Sequence, residues 1–168
     1  EELARIRGLS HPAFRVRTVS LVYEIEKRLS TAMAEFFDAC DQACAEGINI
    51  LILSDRGQDR AHPAIPSLLA VSGLEQHLIR IRKRTAVSVI LESGEPRDVH
   101  QLALLVAYGA RAVNPWLAHD CIRGLQAKGL IGKDAEEAIR NAIFWRDTPC
   151  EKGRNFYALV TEDGVTMY

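Results

Sequence analysis

Three short polar segments interrupt apolar runs in this sequence, and they carry the side chains best suited to chemistry. The segments are Ser54–Arg56, Glu92–Glu95 and Asn114. A carboxylate such as Asp55 or Glu92 acts as a general base when a substrate proton lies within hydrogen-bond reach, and Arg56 can bind an anion. The same groups also form internal ion pairs, because a partly buried carboxylate needs a cation or hydrogen-bond donors. We therefore expect either a structural network or a ligand or interdomain site at Asp55 and Glu92.

Helix capping offers a structural explanation for the remaining polar residues. Asn114 stands directly before Pro115, the preferred pairing of an N-cap with the first helical position. Glu95 before Pro96 would place a carboxylate at the positive end of the helix that follows. His100 falls in the first turn of that helix, and the other histidines show no i,i+4 pairing with it that would bind a metal. The candidates for binding or interdomain contact are Asp55, Arg56, Glu92, Ser93, Glu95, His100 and Asn114.

No recognisable catalytic or metal motif accompanies these residues. The sequence contains no nucleophile elbow, no phosphate-cradling glycine pattern and no helical two-histidine zinc motif. The cysteines at 40, 44, 121 and 150 lack the close paired spacing of a zinc site. Cys40 and Cys44 share one face of a predicted helix, which favours small buried thiols. Spacing alone therefore names no reaction, no catalytic residue and no metal ligand.

Hydrophobic periodicity predicts the elements that position the polar segments. INILILSD and TAVSVILE are continuous apolar runs of strand length, which predicts strands covered on both faces, and ARAVN predicts a short third strand. Helical patterns separate and follow them, so residues 48–127 spell β-α-β-α-β-α and predict a right-handed parallel α/β unit. Such a unit belongs either to a (β/α) barrel or to an open doubly wound sheet, and strand count does not decide. Because parallel strands end at a common edge, we expect the three polar segments to lie together there.

Further predicted elements flank this unit. A short helix opens the chain, FRVRTVSLVY predicts an additional strand, and residues 27–45 follow the 3.6 period of an amphipathic helix. Asp163-Gly164 between two β-prone arms predicts a hairpin. We therefore divide the chain into an α/β domain at 1–145 and a divergent tail at 146–168. Later helices are predicted over residues 66–82, 96–108, 115–127 and 134–145.

Composition and charge restrict the class of protein. The 168 residues include 48% hydrophobic and 26% charged side chains, with 21 basic against 22 acidic residues, which indicates a packed domain rather than a nucleic-acid-binding surface. No apolar run reaches the roughly 18 residues of a membrane span, and no signal peptide opens the chain. We expect a soluble, cytoplasmic protein. Because the sequence starts with Glu in the middle of a helical pattern, it looks like a piece of something longer.

Four stretches of the sequence carry a family resemblance. They are GINILILSDRG, AIPSLLAVSGLEQHLIR, VSVILESGEPRDVHQLALLVAYGARAVNPWLA and, more weakly, LARIRGLSHPAFRVRTVSL. Together they resemble the second half of the central domain in the large subunit of glutamate synthase, over residues 2–141. The family tends to have a histidine run where this chain has Glu75-Gln76-His77, and the likeness fades beyond Asn141.

The resemblance implies a fold and a division of labour. The fold is similar to an incomplete TIM-type barrel of the FMN-linked oxidoreductase kind, built from parallel β-α-β units. Glutamate synthases hydrolyse glutamine in an amidotransferase domain, pass ammonia through a tunnel and form glutamate at a site with FMN and an iron-sulfur cluster; the central domain joins these regions. No matching position is a family nucleophile, flavin ligand or cluster cysteine, so the resemblance implies no cofactor in this chain itself. The matching positions are Ser54, Asp55, Arg56, Pro66, Glu92, Ser93, Gly94, Glu95, His100, Gly109, Asn114 and Pro115.

The sequence leaves three functional hypotheses open. The first is a piece of a glutamate synthase central domain with a structural and interdomain role beside the ammonia passage. Its partners would be the amidotransferase and FMN domains, and an exposed apolar patch would promote self-association. The second is a stand-alone module that binds a small anion at the strand ends through Arg56, Arg97 and helix N-termini. The third is an independent enzyme with Asp55 or Glu92 as general base.

Overall fold

The computed structural model describes residues 2–132, 134–143, 158–161 and 164–167. Helices and strands follow one another in the order that the sequence predicts, and none of the described helices combines the length and apolarity needed to cross a membrane. The helices are α1 (Glu2–Arg7), α2 (Leu29–Ala45), α3 (Ser67–Arg80), α4 (Val99–Ala107), α5 (Trp116–Ala127) and α6 (Ala135–Ile143). The strands are β1 (Val16–Ser20), β2 (Ile50–Ser54), β3 (Ser88–Glu92), β4 (Ala112–Asn114), β5 (Ala158–Thr161) and β6 (Gly164–Met167).

Strands β1 to β4 form one parallel sheet in chain order. The register places Ser20 beside Ser54, Ser54 beside Glu92, and Glu92 beside Asn114, so all four strands end at a common level. The prediction of parallel strands with polar ends at one edge is confirmed. Doubly wound sheets bind ligands at the point where the strand order reverses. Within the described residues, this sheet shows no such reversal. Barrel walls share the sequential order, and closure into a barrel stays a prediction.

One face of the sheet holds most of the hydrophobic core. Leu51, Leu53 and Leu91 are fully buried there, together with Phe36 of α2 and Leu74 of α3. Complete burial of such a side chain stabilises the fold by about 1.5–3 kcal/mol. The packing of α2 and α3 on this face, together with α1 on the opposite face, explains why β2 and β3 lack the polar alternation of a half-exposed strand.

The opposite face is covered by α1. Ile52 and Ile90 of the sheet are buried against Leu3, and Ile6 packs beside them. Because α1 has only six residues, this cover is much thinner than that on the other face. The position of α1 matters for the polar strand ends, because α1 ends at Arg7 close to Glu92.

The start of α4 differs from the sequence prediction. The helix begins at Val99 rather than at Pro96, and Asp98 is its N-cap. The Asp98 carboxylate accepts a hydrogen bond from the Gln101 backbone N–H at 2.9 Å. An aspartate at this position satisfies a backbone donor that the first helical turn leaves without a partner, which is why the helix starts there.

The start of α5 also differs in its capping. The helix begins at Trp116 with Pro115 in the cap position, and no side chain supplies a capping hydrogen bond. Asn114 is the last residue of β4 and pairs with Glu92. Because the strand holds Asn114 in its ladder, this residue does not act as the N-cap that its place before Pro115 predicts.

The C-terminal elements agree with the predicted hairpin where they are described. β5 and β6 pair antiparallel, with Thr161 opposite Gly164. Asp163 of the predicted turn lies outside the described residues, as does the end of the predicted helix beyond Ile143. The boundary between the α/β domain and the tail also falls in that stretch, so the division at residue 145 stays a prediction.

Candidate functional site

We call the rim the group of polar residues where the carboxyl ends of β2, β3 and β4 meet α1, α3 and α5. It consists of Ser54, Asp55, Arg56, Glu92, Ser93, Glu95 and Asn114, together with Arg7, Ser67 and Trp116, and Glu92 lies at its centre. Glu92 is 2% exposed, and its carboxylate accepts hydrogen bonds from Ser54 Oγ at 2.5 Å and from Arg56 Nε at 2.8 Å. A guanidinium N–H of Arg7 also donates to it from the end of α1. The two arginines provide the cations that a buried carboxylate needs.

The pKa of Glu92 reflects the balance between burial and these donors. Burial raises the pKa, but the hydrogen bonds from Ser54, Arg56 and Arg7 together outweigh it and hold the pKa below its ordinary value of 4.5. Glu92 is therefore ionised at neutral pH. Its contribution to folding stability is complete above that ordinary value and is lost as the pH falls through the lower folded-state pKa.

Asp55 is the second buried carboxylate of the rim, and neutral donors hold it. Its Oδ2 accepts from Ser93 Oγ at 2.7 Å and from the Gly94 backbone N–H at 2.8 Å, while its Oδ1 accepts from Trp116 Nε1 at 2.7 Å. The residue is 1% exposed. Both arginines of the rim pair with Glu92 instead, so the two carboxylates have separate sets of partners.

Ser93 connects Asp55 to the start of α3. Its single hydroxyl hydrogen goes to Asp55, so Ser67 Oγ, which lies 2.6 Å from Ser93 Oγ, must be the donor in that contact. Ser93 Oγ also accepts from the Glu95 N–H at 3.1 Å, and Glu95 Oε2 accepts from the Ser67 N–H at 3.0 Å. Glu95 thus lies at the positive end of α3 and not at the start of α4, where sequence order predicted it.

Trp116 contacts both Asp55 and Arg56 in the rim. The guanidinium carbon of Arg56 lies 4.4 Å from the centroid of a Trp116 ring, a cation–π contact. A Cβ at position 94 would lie 3.1 Å from Trp116 and 3.3 Å from the Leu117 Cβ, so Gly94 permits the close approach of α5 to the end of β3. The indole therefore donates to one carboxylate and stacks on the arginine that binds the other.

The remaining sequence-predicted candidates take little part in this network. The Asn114 backbone oxygen accepts from the Ser93 N–H at 3.0 Å, but its Oδ1 is shielded from solvent and accepts no hydrogen bond from the described residues. His100 is exposed on α4, and Arg97 is exposed in the loop before it. Hydrogen bonds thus join five of the seven candidates through their side chains, namely Asp55, Arg56, Glu92, Ser93 and Glu95.

Sequence reasoning missed three residues of the rim: Arg7, Ser67 and Trp116. Arg7 is 85 residues from Glu92, and Trp116 is 61 residues from Asp55, so no local spacing predicts either contact. Trp116 had one available signal, because it directly follows the polar end of the third predicted strand and must lie near the same edge. Arg7 had none, since its helix packs on the face opposite to α2 and α3.

The described cysteines do not suit an iron-sulfur cluster. Within the described residues, no group of three or more His, Cys, Asp or Glu side chains could hold a metal ion. Burial raises the pKa of Cys40 to about 12, so its thiol stays protonated. Cys44 lies one turn further along α2, and Cys121 is exposed on α5. A cluster requires several thiolates close together, and these residues do not provide them.

The rim is therefore equipped to position elements of the chain. Both oxygens of each buried carboxylate already accept hydrogen bonds. These bonds tie the ends of β2 and β3 to α1 and α5, and the contacts of Ser93 and Glu95 with Ser67 add α3. Each carboxylate is buried and accepts three hydrogen bonds, so a substrate proton would have to reach an oxygen that already has a partner.

Comparison with known proteins agrees with this architecture. The family model described as glutamate synthase central domain matches residues 1–145. The glutamate synthase (NADPH) large chain of Bacillus subtilis is 37% identical over 139 residues, which is 83% of this chain and 9% of that protein. Glutamate synthase (NADH) of Saccharomyces cerevisiae is 30% identical over 125 residues, 73% of this chain and 6% of that protein. The chloroplastic ferredoxin-dependent glutamate synthase of Spinacia oleracea is 32% identical over 121 residues, 68% of this chain and 8% of that protein.

The chain spans less than a tenth of the length of each of these relatives. The family match nevertheless covers the whole of the described α/β unit from α1 to α6, including every residue of the rim. The chain belongs to the glutamate synthase central domain family.

Proposed function

We propose that this chain is a structural and interdomain element of glutamine-dependent glutamate biosynthesis. In a parent large chain it would join the amidotransferase and FMN regions and help to wall the ammonia passage between them. The observation that carries this proposal is that both oxygens of each buried carboxylate, Asp55 and Glu92, accept hydrogen bonds from distant parts of the same chain. A network of this kind fixes the positions of the strands and helices that it connects.

The lengths of the relatives support a role as one region of a larger enzyme. The chain covers 6–9% of the three glutamate synthases, so most of such a protein would lie outside it. The iron-sulfur cluster would be held by that remainder, because the described cysteines do not suit a cluster. FMN would be held there as well, because no matching position of this chain is a flavin ligand of the family. The amidotransferase and FMN domains would be its partners. Self-association of the 168-residue chain stays a prediction, which sedimentation velocity would test.

The geometry favours this role over a stand-alone module for small anions. Arg56 would be the main donor of such a module, but its Nε donates to Glu92 and its guanidinium stacks on Trp116. Two buried carboxylates at the same edge would also repel an anion. A general base is disfavoured for the same structural reason, since neither Asp55 nor Glu92 has an unbonded oxygen.

A coupling measurement in the parent large chain tests the proposal. Glu92→Gln removes the charge that holds Arg7 and Arg56, so α1 and the loop after β2 lose their shared anchor. We expect more ammonia to escape into solution for each glutamate formed from glutamine, with the ratio rising severalfold. Hydrolysis of glutamine itself should continue at the normal rate, because the rim contributes no group to that reaction.

The matched control is His100→Ala, because His100 is exposed on α4 and outside the rim. This variant should keep the normal ratio of free ammonia to glutamate. A Glu92→Gln large chain with a normal circular dichroism spectrum and an unchanged ratio would contradict the proposed role beside the ammonia passage.

A further inference from the structure

The outer edge of β1 has no partner strand among the described residues. β1 pairs only with β2, and the bond from the Leu21 N–H to the Ser54 oxygen at 2.8 Å shows which backbone groups face that neighbour. Backbone groups alternate between the two sides of a strand, so the odd-numbered residues face β2. The N–H and C=O groups of Val16, Thr18 and Ser20 therefore point outward and offer a regular row of donors and acceptors.

A groove of about 310 Å³ runs between this edge and α2. Its lining combines the apolar side chains of Phe36 and Ala39 and the ring of Tyr23 with polar residues at its margin, namely Arg17, Glu35 and Gln42. The groove lies on the same side of the sheet as the main core. A strand added to β1 would place every second side chain in it, which is the pattern of recognition by β-augmentation.

The charged residues near this edge do not shield it. Arg15 donates to the backbone oxygen of Glu46 at 2.5 Å, and Arg17 binds the Glu46 carboxylate. Both arginines are thus turned toward the end of α2. The outward-facing positions carry Val, Thr and Ser, without the Lys or Pro that commonly protects an exposed edge. Such an edge is suited to pairing with another strand.

We propose that in the parent large chain an extended segment of the same polypeptide, from outside these 168 residues, adds a strand to the free edge of β1. This inference rests on the proposed function, because it requires the chain to be one region of a larger enzyme. The relatives have the polypeptide to supply the strand, since this chain accounts for 6–9% of their length. The groove favours a segment with apolar side chains at alternate positions.

The handedness of the fold restricts how a parallel strand on the free edge could be connected to β1. α1 directly precedes β1 and lies on the face opposite to α2. A parallel strand joined to β1 through α1 on that face, and placed on the free edge, would form a left-handed crossover, which folded proteins almost always avoid. If the added strand is parallel to β1, it is therefore separated from β1 by more than a single helical connection.

Hydrogen exchange of the parent large chain, read by mass spectrometry with residue-level fragmentation, tests the inference. The amides of Arg17 and Val19 face β2 and serve as the internal control. If a strand covers the edge, the amides of Val16, Thr18 and Ser20 should exchange within about tenfold of that control. An open edge would instead give an alternating pattern, with the even-numbered amides exchanging at least about 100-fold faster, and would overturn the proposal.

A pair of variants shows whether the protection comes from strand pairing. Thr18→Pro removes an outward-facing N–H without removing a bond to β2, whereas Thr18→Val keeps the N–H and the β-branched shape. In the parent large chain, the proline variant should speed exchange at Val16 and Ser20 at least tenfold, and the valine variant should not. Equal exchange in both variants would show that another feature protects these amides and would overturn the proposal.

The 168-residue chain distinguishes a second copy from the proposed occupant. Here the even-numbered amides should exchange rapidly at every protein concentration. In the parent large chain, protection of these amides that increases with protein concentration would show pairing between two copies and would overturn the proposal. The exchange pattern is independent of the ammonia ratio in Glu92→Gln, so the inferred strand and the proposed passage can fail separately.

Discussion

Glu92→Gln provides the most direct test of how the rim stabilises the chain. The substitution keeps the size of the side chain but removes its charge. Glu92 now accepts from Arg7, Ser54 and Arg56, and a glutamine amide has only one acceptor oxygen. Its NH₂ group would point toward either Arg56 or the pair formed by Arg7 and Ser54, so an amide donor would face at least one guanidinium donor.

The contributions of these partners set the expected magnitude. The side chains of Arg7 and Arg56 are 37% and 47% exposed, so both can rehydrate, and each lost ion pair costs about 0.5–1 kcal/mol. Ser54 is buried, and loss of its acceptor costs about 1–3 kcal/mol. The free energy of unfolding at neutral pH should therefore fall by about 1–2 kcal/mol if the amide oxygen faces Ser54, and by up to about 5 kcal/mol if Ser54 loses its acceptor.

Urea denaturation of the 168-residue chain from pH 7 to pH 3 measures both the loss and its origin. The pKa of Glu92 is lowered in the folded chain, so its charge stabilises the fold above the ordinary pKa of 4.5 and ceases to do so as the pH falls through the folded-state value. The difference in free energy of unfolding between wild type and Glu92→Gln should thus be largest at neutral pH and should shrink below pH 4.5.

Arg97→Gln is the control, since Arg97 is exposed and outside the rim network. It should change the free energy of unfolding by no more than about 0.5 kcal/mol. If Glu92→Gln costs no more than this control, or if its cost is the same at pH 7 and pH 3, the ion-pair interpretation of the rim is wrong.

Two further predictions concern backbone conformation and thiol burial. Gly109 has φ +125°, and a Cβ there would lie 2.9 Å from the Glu75 Cδ, so Gly109→Ala should lower the free energy of unfolding by about 1–3 kcal/mol in urea. Gly124→Ala on α5, where a Cβ meets no atom within 4 Å, should instead raise it by about 0.5–1 kcal/mol, and equal effects would contradict this reasoning. Iodoacetamide at pH 8 should modify exposed Cys121 and leave Cys40, whose pKa is about 12, unmodified until urea unfolds the chain; mass spectrometry would reveal early labelling of Cys40, which would contradict its burial.

Much of the fold could be predicted because its signals are local. The apolar runs that end at Ser54 and Glu92 predicted β2 and β3, and the helical patterns between them predicted parallel connections. Asp98 shows the limit of such local reasoning. Pro96 suits the first turn of a helix, but the capping carboxylate two residues later defines the actual start of α4. Two adjacent start signals compete here, and the geometry of the turn decides between them.

The sequence predicted where the candidate site lies in the fold better than it predicted which residues form hydrogen bonds there. Asp55 and Glu92 were expected at one edge, which the register of the strands confirms. Glu95 was assigned to the wrong helix, because its carboxylate turns toward the N–H of Ser67 at the start of α3. Sequence order gives the next helix as the natural partner of a loop residue, whereas distances in the folded chain make the preceding helix its neighbour.

The amino-acid sequence by itself determined the parallel α/β unit, the common edge of its polar strand ends and the family, because periodicity and motif order are properties of contiguous residues. Only the tertiary structure decided which donors satisfy each carboxylate. Arg7 comes from α1, 85 residues from Glu92, and Trp116 comes from α5, 61 residues from Asp55. A buried carboxylate requires partners, but packing alone selects which distant side chains are near enough to serve.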